Sequence, residues 1–273
     1  MQTVQRINKS AWLFTPLMAS TPAPQSQTIA LREGLARRAQ LWRSLPPAGE
    51  KGPGLKLLVG ELASFGLPVR RWLRPSLLLA QAPEPRVVML LPGFGTHPLR
   101  MRYMARQLER AGHKVKRWGL GFNLGPTEDN FVLLGQRVEQ LHLRYGQKVV
   151  LVGWSLGGIF AREIAKRHPR SIAKVISMGS PFSGSVYANN AWRIYQLVTG
   201  HAVDQPPVEA ELAVKPQVET VALWSPRDGV ISPRSACGRP GERDRAVALR
   251  CTHIGFAASD EAISAVAREL DRA

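Results

Sequence analysis

The run Val149-Val150-Leu151-Val152-Gly153-Trp154-Ser155-Leu156-Gly157-Gly158 decides how the chain folds. Its four leading apolar residues make a short buried strand, the next five fit G-x-S-x-G, and a helical pattern begins at once, running over residues 156–168 until Pro169 ends it. A turn this sharp leaves no room for a Cβ two residues either side of the serine. It also holds Ser155 in a strained conformation that lifts its hydroxyl clear of the sheet. The competing reading is a glycine-rich strand-to-helix turn without chemistry, and the residues around it decide between the two.

Outward from this turn, β-rich runs at residues 87–91, 114–118, 148–152, 174–178, 218–224 and 246–250 alternate with helical patterns. Residues 98–111 read as a helix closed by Gly112, and residues 131–145 carry Phe131, Leu134, Val138 and Leu141 on one face. The last helix, 260–270, has Ser259 as its N-cap and Ile263, Val266 and Leu270 at helical spacing. The alternation predicts an α/β fold, a mostly parallel central sheet with helices on both faces. No internal repeat or low-complexity tract interrupts it.

A serine hydroxyl attacks only when a base takes its proton. Three histidines follow Ser155. His168 ends the helix after the turn, and His201 lies in a polar, proline-containing insertion. His253 follows the last strand and precedes the last helix, in a loop that overhangs the serine, so it is the expected base. The acid that orients it belongs at the carboxyl end of the preceding strand, where Asp228 in Ser225-Pro226-Arg227-Asp228-Gly229-Val230 is the single carboxylate. Asp204, Glu209 and Glu211 fall in the insertion, and Glu242 and Asp244 in a charged loop. An oxyanion needs two donors, and the backbone amides of Leu156 and of Phe94, in Leu91-Pro92-Gly93-Phe94-Gly95, are the candidates.

Together, Leu91-Pro92-Gly93-Phe94, Gly153 to Gly158, Gly179-Ser180-Pro181-Phe182, Asp228-Gly229-Val230 and His253-Ile254-Gly255 resemble the α/β-hydrolase superfamily, most closely its bacterial lipase/esterase branch. The resemblance covers about residues 86 to 273. It implies an active site above the carboxyl edge of the sheet, a Ser155–Asp228–His253 triad, cleavage of small-molecule or lipid carboxylic esters through an acyl-enzyme, and no metal or organic cofactor. An acyltransferase with the same triad, and a non-catalytic protein of the same fold that binds anionic surfaces, are the alternatives. Many lipases carry histidine where this chain has Trp154 and Pro92, a departure that points away from long-chain triglyceride. Some exported relatives brace the acid–base region with a disulfide, which Cys237 and Cys251 would match; two free thiols are the equal alternative.

Trp154 and Phe94 flank the expected reaction centre as candidate substrate-binding residues, and residues 118–125 are expected to form an apolar rim, with plain packing the equal alternative for these aromatics. The insertion 183–216 is expected to be a small lid, with Trp192, Ile194, Tyr195 and Leu197 on a cap helix.

Residues 1–83 read differently, as a basic, partly helical extension that is too poor in large apolar residues for its own core, ahead of a main domain at 84–273. Helices are expected at 26–44, with Leu31, Leu35, Ala39 and Trp42 on one face, and at 55–67. Of the formal net charge of +17 on 273 residues, residues 1–83 hold +8 and residues 98–117 hold +6. Such a balance favours anionic company and leaves peripheral association with an anionic membrane surface open. No nucleic-acid motif accompanies it, and nucleic acid is not expected. No stretch reaches the roughly 18 apolar residues that span a bilayer. Arg6 and Lys9 before the apolar run 11–19, broken by Pro16, make only a weak outline of an export signal, so cytoplasmic placement is expected over export.

Overall fold

The computed structural model of the chain describes residues 24–66 and 77–272. Arg6, Lys9 and the run 11–19 read for export, Leu67, and Arg70, Arg71 and Arg74 lie outside the described residues. The chain divides between Ala36 and Arg37 into two compact units. In the first, the described residues begin helix α1 (Pro24–Arg43). The second holds everything described below.

Six strands form one parallel sheet among the described residues: β1 (Val87–Leu91), β2 (Lys114–Arg117), β3 (Val149–Trp154), β4 (Ile172–Met178), β5 (Glu219–Trp224) and β6 (Arg245–Ala248), in the order β2-β1-β3-β4-β5-β6. All six coincide with the expected strands to within a few residues. β3 runs two residues further than its apolar stretch because Gly153 and Trp154 still pair with Ser177 and Met178 of β4. β1 and β3 are buried along their whole length, as apolar strands covered on both faces must be.

Alternate strand residues feed two cores. Val88, Leu90, Val150, Val152, Ile176 and Leu223 face one side, packing with Met104 and Leu108 of α3 (Arg102–Arg110) and Ile263 and Val266 of the last helix. Val87, Met89, Leu91, Leu151 and Val175 face the other, against Phe131, Leu134 and Val138 of α4 (Glu128–Tyr145) and Phe160 and Ile164 of α5 (Leu156–Arg167). Period-two strands meeting period-3.6 helices thus yield the three-layer fold.

Caps explain where the helices depart from expectation. Thr127 accepts from the Asn130 amide and starts α4 three residues early, and Gly146 ends it at φ 63°. Residues 98–111 split into a 3-10 turn, Pro98–Met101, and α3. The insertion carries the expected helix, α6 (Trp192–Thr199). After β5 come a short α7 (Pro233–Cys237) and then α8 (Asp260–Asp271), capped by the Ser259 side chain. No helix among the described residues is long and apolar enough to cross a membrane.

Ahead of the sheet, residues 55–67 are not one helix: α2 (Leu55–Gly60) stops at its glycine and continues as a 3-10 turn, Glu61–Gly66. The face expected of α1 is also not covered at Trp42, which is exposed. The end of α1 is held on α6 instead by polar contacts, Arg38 Nε to the Leu197 carbonyl at 3.0 Å and Gln196 Nε2 to the Leu41 carbonyl at 2.8 Å.

Because β1 and β3 are neighbours while β2 lies outside β1, the loops leaving β1 and β3 diverge. In an open parallel sheet this switch point, at the carboxyl ends of the strands, is where a crevice opens.

Candidate active site

Ser155 stands at that crevice, between β3 and α5, with φ 55° and ψ −123°, and it is the one non-glycine with positive φ among the described residues. Two close approaches account for its glycines. A Cβ on Gly153 would come within 2.3 Å of the Gly157 carbonyl oxygen, and one on Gly157 within 2.3 Å of the Leu91 carbonyl oxygen. The turn therefore locks the β3–α5 junction against the end of β1, and the side chain is left half-buried at its apex.

Asp228 and His253 come together from the loops after β5 and β6. His253 Nδ1–H donates to Asp228 Oδ2 at 2.8 Å, with 0% of Asp228 and 5% of His253 exposed. Asp228 Oδ1 accepts the amides of Val230 and Ile231, both at 2.8 Å, so the carboxylate is fixed before it meets the ring. Gly179 (φ 56°) makes room behind it, since a Cβ there would lie 2.9 Å from Asp228 Oδ2. Burial alone would lower the His253 pKa, but the charge of Asp228, its hydrogen bond and the charge of Glu61 outweigh burial and hold it above 6.5. Among the described residues no hydrogen bond joins Ser155 Oγ to the imidazole.

The loop after β1 carries the other candidate donor. Neither the Phe94 nor the Leu156 amide is engaged by an acceptor among the described residues. Asn123, fully buried, pins this loop: its Nδ2 donates to the Pro92 carbonyl at 2.7 Å, its carbonyl accepts the Gly95 amide at 2.7 Å, and its amide donates to the Thr96 carbonyl at 3.0 Å. Nothing in the apolar run 118–125 singled Asn123 out. Of that run, Trp118 is buried against Phe160, while Phe122 and Leu124 are exposed.

Two open alternatives are narrowed. Trp154 takes the packing role and not that of a substrate wall. It is 4% exposed, and its indole Nε1–H donates to the His253 carbonyl at 3.0 Å, so it supports the histidine loop from below. Of the two alternatives for Cys237 and Cys251, the free thiols are the one found. Cys251 is buried in the core beside Phe256, whereas Cys237 closes α7 with its sulfur 4.0 Å from Arg243 Nη2, and the two belong to separate environments.

The remaining titratable candidates lie elsewhere. His168 pairs with Glu139 at 2.8 Å, Asp204, Glu209 and Glu211 are exposed, Glu242 accepts the Arg239 amide, and Asp244 pairs with Lys215. Phe94 is half-buried with its ring 5.4 Å from that of Tyr195 on α6. Beyond Tyr195 an apolar cavity of about 490 Å³ lies under the insertion, lined by Leu156, Ile159, Phe182, Val208 and Leu212.

A further buried carboxylate, Glu61, reaches the same loops, though sequence offered only a lone glutamate in a leucine-rich run. Its Oε1 accepts the amides of Gly229 (2.8 Å) and His253 (2.7 Å), and its Oε2 that of Ile254 (2.9 Å). Among the described residues no group of three or more His, Cys, Asp or Glu is arranged to hold a metal ion.

Residues 86–228 match the family described as the alpha/beta hydrolase fold. Among solved structures, the chain is similar to a Bacillus licheniformis lipase, BlEst2. Its propeptide form is 16% identical with a TM-score of 0.57, over 72% of this chain and 52% of that one, so the match spans about half of that protein's length. The mature form is 16% identical with a TM-score of 0.51, over 72% and 94%. A gene product of Listeria innocua is 18% identical with a TM-score of 0.49, over 70% and 95%. No curated protein matches the sequence significantly.

Proposed function

The chain belongs to the α/β-hydrolase fold family, and on that premise we propose that it is a serine hydrolase that cleaves carboxylic esters through Ser155, His253 and Asp228. The observation that carries this reading is the strained backbone of Ser155 at the sheet's switch point, since strain held at one non-glycine residue is a mark of a working site. The buried His253–Asp228 pair, whose carboxylate favours the proton on Nδ1 and leaves Nε2 as the acceptor, supports the assignment of base and orienter.

In this reading His253 Nε2 takes the Ser155 proton as Oγ bonds to the ester carbonyl carbon. The carbonyl electrons move onto oxygen, where the Phe94 and Leu156 amides receive them. Collapse breaks the carbon–alkoxy bond, and the alcohol leaves with the proton from His253. Water then repeats the sequence on the acyl-enzyme, releasing the acid and restoring Ser155. Asp228 keeps Nδ1 protonated and stabilises the imidazolium throughout. The cavity beneath the insertion would take an apolar acyl or alkyl group, with Tyr195, packed on the Phe94 ring, in its wall.

The test is a panel of p-nitrophenyl esters of increasing acyl length together with a fluorophosphonate probe, on wild type and Ser155→Ala. Hydrolysis and labelling that vanish in the variant are expected. Folded wild-type protein that neither hydrolyses the esters nor takes the label would overturn the proposal.

A further inference from the structure

We propose that Glu61 is a positioning residue for this reaction, a buried clamp that joins the Asp228 loop to the His253 loop and sets the imidazole between them. The inference rests on the serine-hydrolase reading for its kinetic consequences, but the clamp itself is geometric. Asp228 and His253 arrive from two separate loops, and a hydrogen bond of 2.8 Å between them is only as well aimed as those loops are fixed. Glu61 fixes both at once. One oxygen takes the amide directly after Asp228 and the amide of His253 itself, and the other takes the amide of Ile254. Three charge-assisted bonds on a carboxylate 4% exposed make a rigid joint.

Other contacts bring the same segment onto the same loops. Gly229 must be glycine because α2 lies directly on it, and a Cβ there would come within 2.3 Å of the Leu57 carbonyl oxygen. The Ser64 hydroxyl, one turn beyond Glu61, is hydrogen-bonded to the Thr252 hydroxyl, next to the base. Asn190 Nδ2 donates both to the Pro53 carbonyl (2.9 Å) and to the Gly229 carbonyl (2.8 Å). Residues 53–64, which stand before the first strand and outside the stretch matched by the family, are therefore part of the scaffold of the site.

The clamp is also electrostatic. The charged groups that act on the His253 ring are Asp228, from the loop after β5, and Glu61, held on the His253 and Ile254 amides; the Trp154 and Phe256 rings close other sides, and the nearby Cys251 thiol is kept neutral by burial. A second negative charge near the ring favours the imidazolium that forms in each half-reaction.

Glu61→Gln keeps the shape, removes the charge and turns one acceptor into a donor facing the Ile254 amide. Its kcat on a p-nitrophenyl ester is expected to fall about 10–100-fold with KM changed less than about twofold, because no substrate contact is lost. The acid limb of kcat/KM is expected to move about 0.5–1 pH unit lower, and Glu61→Asp to restore its position. Wild-type kcat and an unmoved limb in folded Glu61→Gln would overturn the clamp. A histidine NMR titration of His253 in wild type and Glu61→Gln follows the same shift without any turnover, so an inactive wild type would sink the hydrolase reading while the titration still decides the clamp. If Glu61→Gln does not fold, amide exchange in the wild type decides: Gly229, His253 and Ile254 are expected to exchange as slowly as the central strands, and exchange at loop rates would overturn the proposal.

Discussion

His253 Nδ1 and Asp228 Oδ2 lie 2.8 Å apart inside the protein, a charged hydrogen bond formed across two loops that follow the neighbouring strands β5 and β6. Whatever passes through Nε2 is governed by this bond, because the buried carboxylate decides which ring nitrogen carries the proton and how readily the ring accepts a second.

The pH dependence follows from its sign. On the proposed mechanism His253 is a general base and works only when neutral, and its pKa is held above 6.5 because Asp228 and Glu61 outweigh burial. Ester hydrolysis is therefore expected to rise with pH through a midpoint above 6.5. Asp228→Asn removes the main raising charge, so burial prevails, the midpoint moves lower, and kcat falls by about 10³–10⁴. The pair also contributes to stability below pH 6.5, a contribution lost as pH rises through the folded-state pKa. A pH–rate profile of the two proteins checks both, and a wild-type midpoint at or below 6.5 would contradict it.

Close backbone approach predicts opposite outcomes at two glycines. Gly157→Ala drives a Cβ to 2.3 Å from the Leu91 carbonyl oxygen, and neither backbone can yield without breaking the β1–β3 pairing. A loss of about 3 kcal/mol or more is expected, read as a collapse in denaturation midpoint or in soluble yield. Gly60→Ala meets nothing within 4 Å and sits in helical conformation at the end of α2, so it is expected to stabilise by about 0.5–1 kcal/mol. Urea titration of both proteins distinguishes them.

The strand pattern made the fold legible because each buried strand announces itself locally, by four or five apolar residues between turn signals. Ser155 was legible for the same reason, its glycines lying two positions away in the chain. Glu61 and Asn123 were not. The partners of Glu61 lie 168 to 193 positions further on, and those of Asn123 are backbone atoms that no residue type reveals. Trp154 stood between substrate contact and packing in sequence, and strand alternation turns it into the core. The cysteines stood between a bridge and two free thiols, and they are free because each sulfur takes a separate environment.

Free cysteines carry their own expectation. Burial pushes the Cys251 thiol pKa up, whereas Cys237 opens on a cavity of about 880 Å³ lined also by Lys51 and Arg239. A thiolate-specific reagent such as DTNB should modify Cys237 in the folded protein and reach Cys251 only on unfolding. Two thiols per chain under denaturing, non-reducing conditions is the expected total, and none would mean the disulfide forms after all.

Arg162 offers the sharpest test of how the insertion is held. It projects from the middle of α5 and is 1% exposed. Its guanidinium donates to the carbonyls of Leu212, Ala213 and Val214 in the insertion and of Glu242 in the loop before β6, and stacks 4.1 Å from the Phe182 ring centre. Burial pushes its pKa down to about 10, against the opposing charges of Glu163 and Glu242, so it stays charged at neutral pH. Among the described residues its Nη1 has no hydrogen-bond partner. Arg162→Met fills much of the volume yet strands four carbonyls that had a donor, and a loss of about 2–4 kcal/mol is expected. Arg162→Lys should recover little, because one ammonium cannot reach the spread of acceptors that a planar fork serves. Since Leu212, Ala213 and Val214 also line the apolar cavity, the variants should lose discrimination between acyl chain lengths before they lose the ability to hydrolyse the shortest ester. Denaturation midpoints within about 0.5 kcal/mol of wild type, with an unchanged chain-length profile, would show that the insertion is held by its apolar contacts and not by this arginine.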